Sequence, residues 1–135
     1  MKINSEQKML EFGKDFAANL TTPSVIELIG DVGTGKTTFV RGLAAGLGIK
    51  DKVTSPSFTI SKAYALPNQK LLFHYDFYRL DDPGLMSEDL SESIRNSNAI
   101  TVVEWANSIE DFLPKTRIKI HFKYNDDDTR EVTIL

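Results

Sequence analysis

The segment Gly30-Asp31-Val32-Gly33-Thr34-Gly35-Lys36-Thr37 constrains this chain more than any other. It has the spacing G-x-x-x-x-G-K-[ST], a spacing that carries meaning only between a strand and a helix. Both neighbours are legible. Residues 24–29 (Ser-Val-Ile-Glu-Leu-Ile) are a short apolar run with β-branched side chains, which predicts a buried strand. Val40, Leu43, Ala44 and Leu47 recur at helical spacing, which predicts a helix from about Thr37 to Leu47, stopped by Gly48.

A strand, a glycine-rich turn and a helix in that order make a phosphate loop, or P-loop. Glycine lets the backbone fold back so that successive N–H groups point at phosphate oxygens, and the helix aims its positive end at the same place. Gly30, Asp31, Gly33, Thr34, Gly35, Lys36, Thr37 and Thr38 are therefore the candidate nucleotide-binding residues. Lys36 reaches the β- and γ-phosphates as a point charge, and the Thr37 hydroxyl is placed to bind Mg²⁺. The expected ligands are ATP and Mg²⁺. The bland alternative is a glycine-rich turn that merely caps a helix.

The remaining pattern completes an α/β chain. Ser5 is a candidate N-cap for a first helix on which Met9, Leu10, Phe12, Phe16, Ala17 and Leu20 share a face, ended by Thr21-Thr22-Pro23. Residues 58–64 and 71–78 read as strands joined across Pro67-Asn68-Gln69-Lys70. In the second strand, Leu71, Phe73, Tyr75 and Phe77 fall on one face, and Leu72, His74, Asp76 and Tyr78 on the other. A third helix is expected within 83–95 and a buried strand over 99–103. Ile118, Ile120, Phe122 and Tyr124, then Val132 and Ile134, alternate around Asn125-Asp126-Asp127-Asp128, which predicts a hairpin. Pairing Phe122 with Val132 also pairs Lys123 with Glu131, so pattern and charge select one register. The expected architecture is α/β: a P-loop NTPase-like mixed β-sheet flanked by helices, with a C-terminal β-hairpin, in a single domain over residues 1–135.

Hydrolysis of a Mg-nucleotide needs carboxylates near the metal and the attacking water. Asp76 and Glu104 each end an apolar strand, where open α/β sheets place functional groups. Taken singly, each is equally readable as a solvent-exposed strand terminus. Thr54-Ser55-Pro56-Ser57-Phe58 offers hydroxyls that a γ-phosphate can order, or is an ordinary turn fixed by Pro56. His74 shares a face with Asp76 and can hydrogen-bond there, or is a half-buried neighbour. The row Arg117, Lys119, His121, Lys123 is a partner or RNA surface, or a solvated outer face. Trp105 is a partner anchor or a core residue.

Composition narrows the function classes. The net charge of −3 gives no electrostatic reason to bind nucleic acid directly, and the absence of cysteine excludes disulfides, thiolate metal sites and a cysteine nucleophile. No signal pattern and no apolar run near the ~20 residues of a membrane span is visible, so the expected location is cytoplasmic, with no membrane association.

Taken in order, the motifs resemble one family. Gly-Asp-Val-Gly-Thr-Gly-Lys-Thr-Thr-Phe at 30–39 is followed by Arg41-Gly42. Thr-Ser-Pro-Ser-Phe at 54–58, His-Tyr-Asp-Phe-Tyr-Arg-Leu at 74–80 and Val-Val-Glu-Trp at 102–105 come after it. The chain looks like a bacterial TsaE (YjeE) protein over nearly its whole length. That resemblance implies an ATPase supporting threonylcarbamoyladenosine synthesis in tRNA. It would act on the TsaD–TsaB pair, contact tRNA only through that complex, and use hydrolysis to reset it between turnovers. It further implies Lys36 and Thr37 as phosphate and Mg²⁺ ligands, Glu104 as the metal-side acid and Asp76 as a second acid. Lys36, Asp76 and Glu104 are thus the catalytic candidates, with Thr37 and Glu104 on the metal. Ser55–Phe58 resembles a switch-like loop, Arg79 and Trp105 are placed for partner coupling, and a shorter match at Asp127–Arg130 implies nucleotide contact by Arg130.

Departures from the family pattern are Ser57 for threonine, Lys8 for threonine, Leu90 near the place of a glycine, and Ala106 for proline. Other readings of the same loop are a small kinase, a GTPase-like switch and a nucleotide-binding scaffold without turnover. No arginine-rich lid follows the second helix, and no Asn-Lys-x-Asp segment reads guanine.

Overall fold

The computed structural model describes residues 1–49, 53–54, 61–78 and 84–135. Seven strands form one sheet: β1 (Lys2–Ile3), β2 (Ser24–Ile29), β3 (Ser61–Ala65), β4 (Leu71–Asp76), β5 (Ala99–Glu104), β6 (Ile118–Tyr124) and β7 (Arg130–Ile134), in the order β1-β7-β6-β2-β5-β4-β3. The centre, β6-β2-β5-β4, is parallel, whereas β3, β7 and β1 join antiparallel at the margins. Every residue of β5 is buried, as expected of a parallel strand covered on both faces. The sheet is thus mixed and flanked by helices, as the sequence pattern predicts.

Helices α1 (Glu6–Ala17) and α2 (Lys36–Gly46) cover one face. Ser5 caps α1 by accepting from the Lys8 amide at 3.1 Å, and the apolar stripe packs inward. Phe39 of α2 lies 5.4 Å from Phe12, 5.6 Å from Phe16 and 5.6 Å from Phe122, ring centre to ring centre. The two helices touch backbone to backbone. A Cβ at Gly42 would stand 2.2 Å from the Leu10 carbonyl oxygen, and one at Gly13 2.4 Å from that of Phe39. Leu72, Ile100, Val102, Ile26, Leu28 and Ile120 complete this core from the sheet.

The other face carries α3 (Leu85–Arg95) and a helical turn over Ala106–Phe112. Their core holds Tyr75, Phe77, Leu90, Val103 and Ile109, with Phe73 against it, so the predicted alternation along β4 is present. Leu90 is fully buried there.

The hairpin register is the one charge and pattern select: Phe122 faces Val132, and Lys123 faces Glu131. Two features differ from expectation. The two-residue β1, too short to show any period, pairs with β7. And Arg117 is not part of a solvated row. Its side chain is 4% exposed and bonds Glu27 Oε1 at 2.7 Å and Glu110 Oε1 at 2.6 Å. Because β6 is an interior strand, Arg117 lies under the Ala106–Phe112 turn, while His121 and Lys123 farther along remain exposed. No helix among the described residues is long and apolar enough to cross a membrane.

Candidate functional site

The phosphate loop connects β2 to α2 at the centre of the sheet, with β5 and β6 beside β2. Gly35 is the N-cap of α2 and adopts φ 102°, a left-handed conformation that costs an L side chain roughly 1–2 kcal/mol. Having no side chain, it leaves the first-turn amides of α2 without a side-chain cap, and those amides have no intrahelical acceptor. The loop is braced from within by Thr34, whose hydroxyl donates to the Asp31 carbonyl at 2.7 Å. From outside, Met9 of α1 packs against Gly35.

Lys36 is buried, and its ammonium donates to the Gly30 carbonyl. It also lies 4.2 Å from the centre of the Trp105 ring. Burial pulls its pKa below the usual lysine value, while the charges of Glu104, Asp76 and Asp31 pull in the opposite direction. An ammonium held in partial burial beside acids, at the mouth of a helix, is poised to accept an anion.

The acids come from neighbouring strands. Asp76 and Glu104 are register partners in the parallel β4–β5 pair and project to the face covered by α1 and α2. They are 5% and 3% exposed, which excludes solvent-exposed strand termini for both. Asp76 Oδ1 accepts from the Tyr78 amide at 2.9 Å. Glu104 Oε2 lies 2.5 Å from His74 Nε2. This pairing was invisible in the sequence: the alternation puts His74 beside Asp76, but only the parallel register brings it to Glu104.

A cavity of about 840 Å³ joins these parts. It is lined by Gly33, Gly35, Lys36, Thr37 and Thr38 of the loop and α2, by Asp76 and Glu104, and by Trp105 and Tyr78 at the rim. Trp105, held at φ 56° and ψ 56°, packs against Tyr78 at 4.7 Å between ring centres with the rings tilted by 43°; it is half-buried at the rim of the site. Across the cavity stand Ile3, Asn4, Ser5 and Glu6, and Arg130. Ile3 and Asn4 had no sequence signal, and Ser5 was legible only as the N-cap of α1, whose first residue is Glu6. Arg130 donates to the Gly33 carbonyl at 3.2 Å and lies over the Tyr124 ring at 4.2 Å, so β7 reaches the loop directly. Gly30 and Asp31 join the site through their carbonyls, which accept from Lys36 and Thr34 respectively. Thr54 accepts from Lys62 through its hydroxyl. Ser55–Phe58 and Arg79 lie outside the described residues.

The donor set suits Mg²⁺. One hydroxyl and two carboxylates are hard oxygen ligands, and Mg²⁺ usually takes one or two carboxylates, with water and phosphate oxygens filling the rest. Among the described residues there is no cluster of three or more His, Cys, Asp or Glu that could hold a metal ion by itself.

A family model for the threonylcarbamoyl adenosine biosynthesis protein TsaE matches residues 3–132. The chain belongs to the TsaE family. Relatives agree. The chain is 46% identical over 113 residues to the tRNA threonylcarbamoyladenosine biosynthesis protein TsaE of Bacillus subtilis (strain 168), covering 81% of this chain and 67% of that protein. It is 35% identical over 130 residues to the TsaE protein of Haemophilus influenzae, covering 93% and 82%. It is similar to the crystal structure of Bacillus subtilis YdiB, with a TM-score of 0.82 at 36% identity, covering 99% of this chain and 82% of that one. Membership in the TsaE family places the chain in tRNA threonylcarbamoyladenosine biosynthesis and accounts for the P-loop-like α/β fold.

Proposed function

We propose that this chain binds Mg·ATP and hydrolyses it to ADP and phosphate, slowly when alone, as the ATPase that resets the TsaD–TsaB complex during tRNA modification in the cytoplasm. One observation carries the reading: the Lys36 ammonium and the buried acids Asp76 and Glu104 converge on one cavity at the N-terminus of α2.

In this reading the loop amides from Gly33 to Thr38 cradle the phosphates, and Lys36 meets the β- and γ-oxygens. Thr37 and Glu104 hold the metal. When bound, Mg²⁺ neutralises charge on the phosphate oxygens as it develops. Asp76, fixed beside Glu104 by the strand register, is the second acid and orients water. Arg130 touches the nucleotide from the β7 side. Tyr78 and Trp105, packed together at the rim, stand where a protein partner can complete the site, Tyr78 being the exposed one of the two. Phosphoryl-transfer catalysis is mostly positioning and charge stabilisation, so a site finished by a partner is slow until the partner arrives.

The test is phosphate release by the purified chain with and without TsaD and TsaB. Stimulation by the pair, lost in Glu104→Gln, is the expected result. A chain that binds Mg·ATP yet releases no phosphate under either condition is a scaffold, and the ATPase reading falls.

A further inference from the structure

His74 is fully buried in the middle of β4, yet the loop chemistry described above makes no use of it. Its register partner on β5 is Val102, two residues before Glu104, so its side chain projects to the same face as the Glu104 carboxylate. His74 Nε2 stands 2.5 Å from Glu104 Oε2. The other ring nitrogen, Nδ1, is buried and has no hydrogen-bond partner among the described residues.

We propose that His74 is a positioning residue that holds Glu104 through an Nε2–H donor, fixing the carboxylate conformer offered to the metal. The proposal rests on the reading of Glu104 as the metal-side acid.

Two physical arguments select the tautomer and the role. With the proton on Nδ1, a bare Nε2 would confront a carboxylate oxygen lone pair to lone pair, and a buried N–H would be orphaned at Nδ1. With the proton on Nε2, the short contact is a charge-assisted hydrogen bond, and only an acceptor is left unmatched. The role follows from what else attracts Glu104. The Lys36 ammonium feels its charge across the same cavity. A carboxylate free to turn would pair with Lys36 and take from the phosphates the cation they need. Anchoring Oε2 on His74 leaves Oε1 for the site and keeps Lys36 available. Metal-binding carboxylates are commonly oriented by hydrogen bonds of this sort.

Calorimetry on three proteins tests it, using ATP with and without Mg²⁺. The wild type should bind more tightly when Mg²⁺ is present. His74→Leu, which keeps an apolar filling but no donor, should lose roughly 10–100-fold of that metal-dependent gain, and metal-free ATP binding should weaken as well because the freed carboxylate competes for Lys36. His74→Gln, whose amide N–H can replace Nε2–H, should recover most of it. An undiminished metal-dependent gain in His74→Leu overturns the proposal and leaves the Glu104 reading standing. No metal-dependent gain in the wild type sinks the Glu104 reading and this proposal together. A measurement on the unaltered protein guards against variants that fail to fold. The ¹⁵N spectrum should show a protonated Nε2 and a bare Nδ1 at His74, distinguishable from exposed His121; the opposite tautomer overturns the proposal.

Discussion

Lys36 Nζ stands 4.2 Å from the ring centre of Trp105 while it donates to the Gly30 carbonyl. The lysine assigned to phosphate in the proposed function is thus held between an aromatic face and a backbone dipole. Both contacts are favourable to a cation, and both are weaker than a triphosphate tail would be.

Trp105 is the only tryptophan in the chain, so tryptophan emission reports on this one position beside Lys36 and Tyr78. Titration with Mg·ATP should change the fluorescence saturably, with the same midpoint as calorimetric binding. A flat signal over a range where heat registers binding would show that the indole does not sense the loop.

Lys36→Ala should abolish turnover. Losing one preorganised donor to a developing charge costs about 2.7–4 kcal/mol, or roughly 10²–10³ in rate. Phosphate release within a few-fold of wild type would remove Lys36 from the chemistry.

The buried lysine also sets a pH dependence in the nucleotide-free protein. Burial lowers its pKa from 10.5, against the pull of Glu104, Asp76 and Asp31. Between the lowered folded value and 10.5 the unfolded chain carries more protons, so stability rises with pH across that window, and below it the penalty is constant. Lys36→Met has no such ammonium. Urea denaturation from about pH 8 to about pH 10.5 should show the variant's stability advantage shrinking as pH rises. An advantage that grows with pH would reverse the sign.

Arg117 offers a test remote from the nucleotide. Removing its guanidinium in Arg117→Met leaves Glu27 buried without its partner, a change that typically costs about 3–5 kcal/mol. Adding Glu27→Met should restore most of the loss, because a well-packed apolar pair can replace a buried ion pair. Equal denaturation midpoints for wild type and Arg117→Met would show the pair contributes nothing.

The sequence discloses most of the elements and little of their adjacency. Alternation in 118–134 fixes the hairpin register because a one-residue slip would turn Phe122 outward and break the Lys123–Glu131 match at once. The loop is legible because its chemistry needs consecutive residues. The His74–Glu104 contact is not, since β4 and β5 are parallel and joined through α3, and nothing local encodes which residues end up side by side. Arg117 misleads for a related reason: alternation describes one strand's two faces but does not say that a turn from elsewhere will cover one of them.

Asp76 and Glu104 hang from adjacent, hydrogen-bonded strands in matched register. The spacing of their backbones is therefore set by the hydrogen bonds between the strands. A backbone fixed on one side of the cavity leaves adjustment to the opposite side, through the loop glycines or the Lys36 stem. On the proposed function, any motion that follows nucleotide binding should accordingly begin at the loop and travel outward, with the ends of β4 and β5 as the fixed point against which everything else is measured.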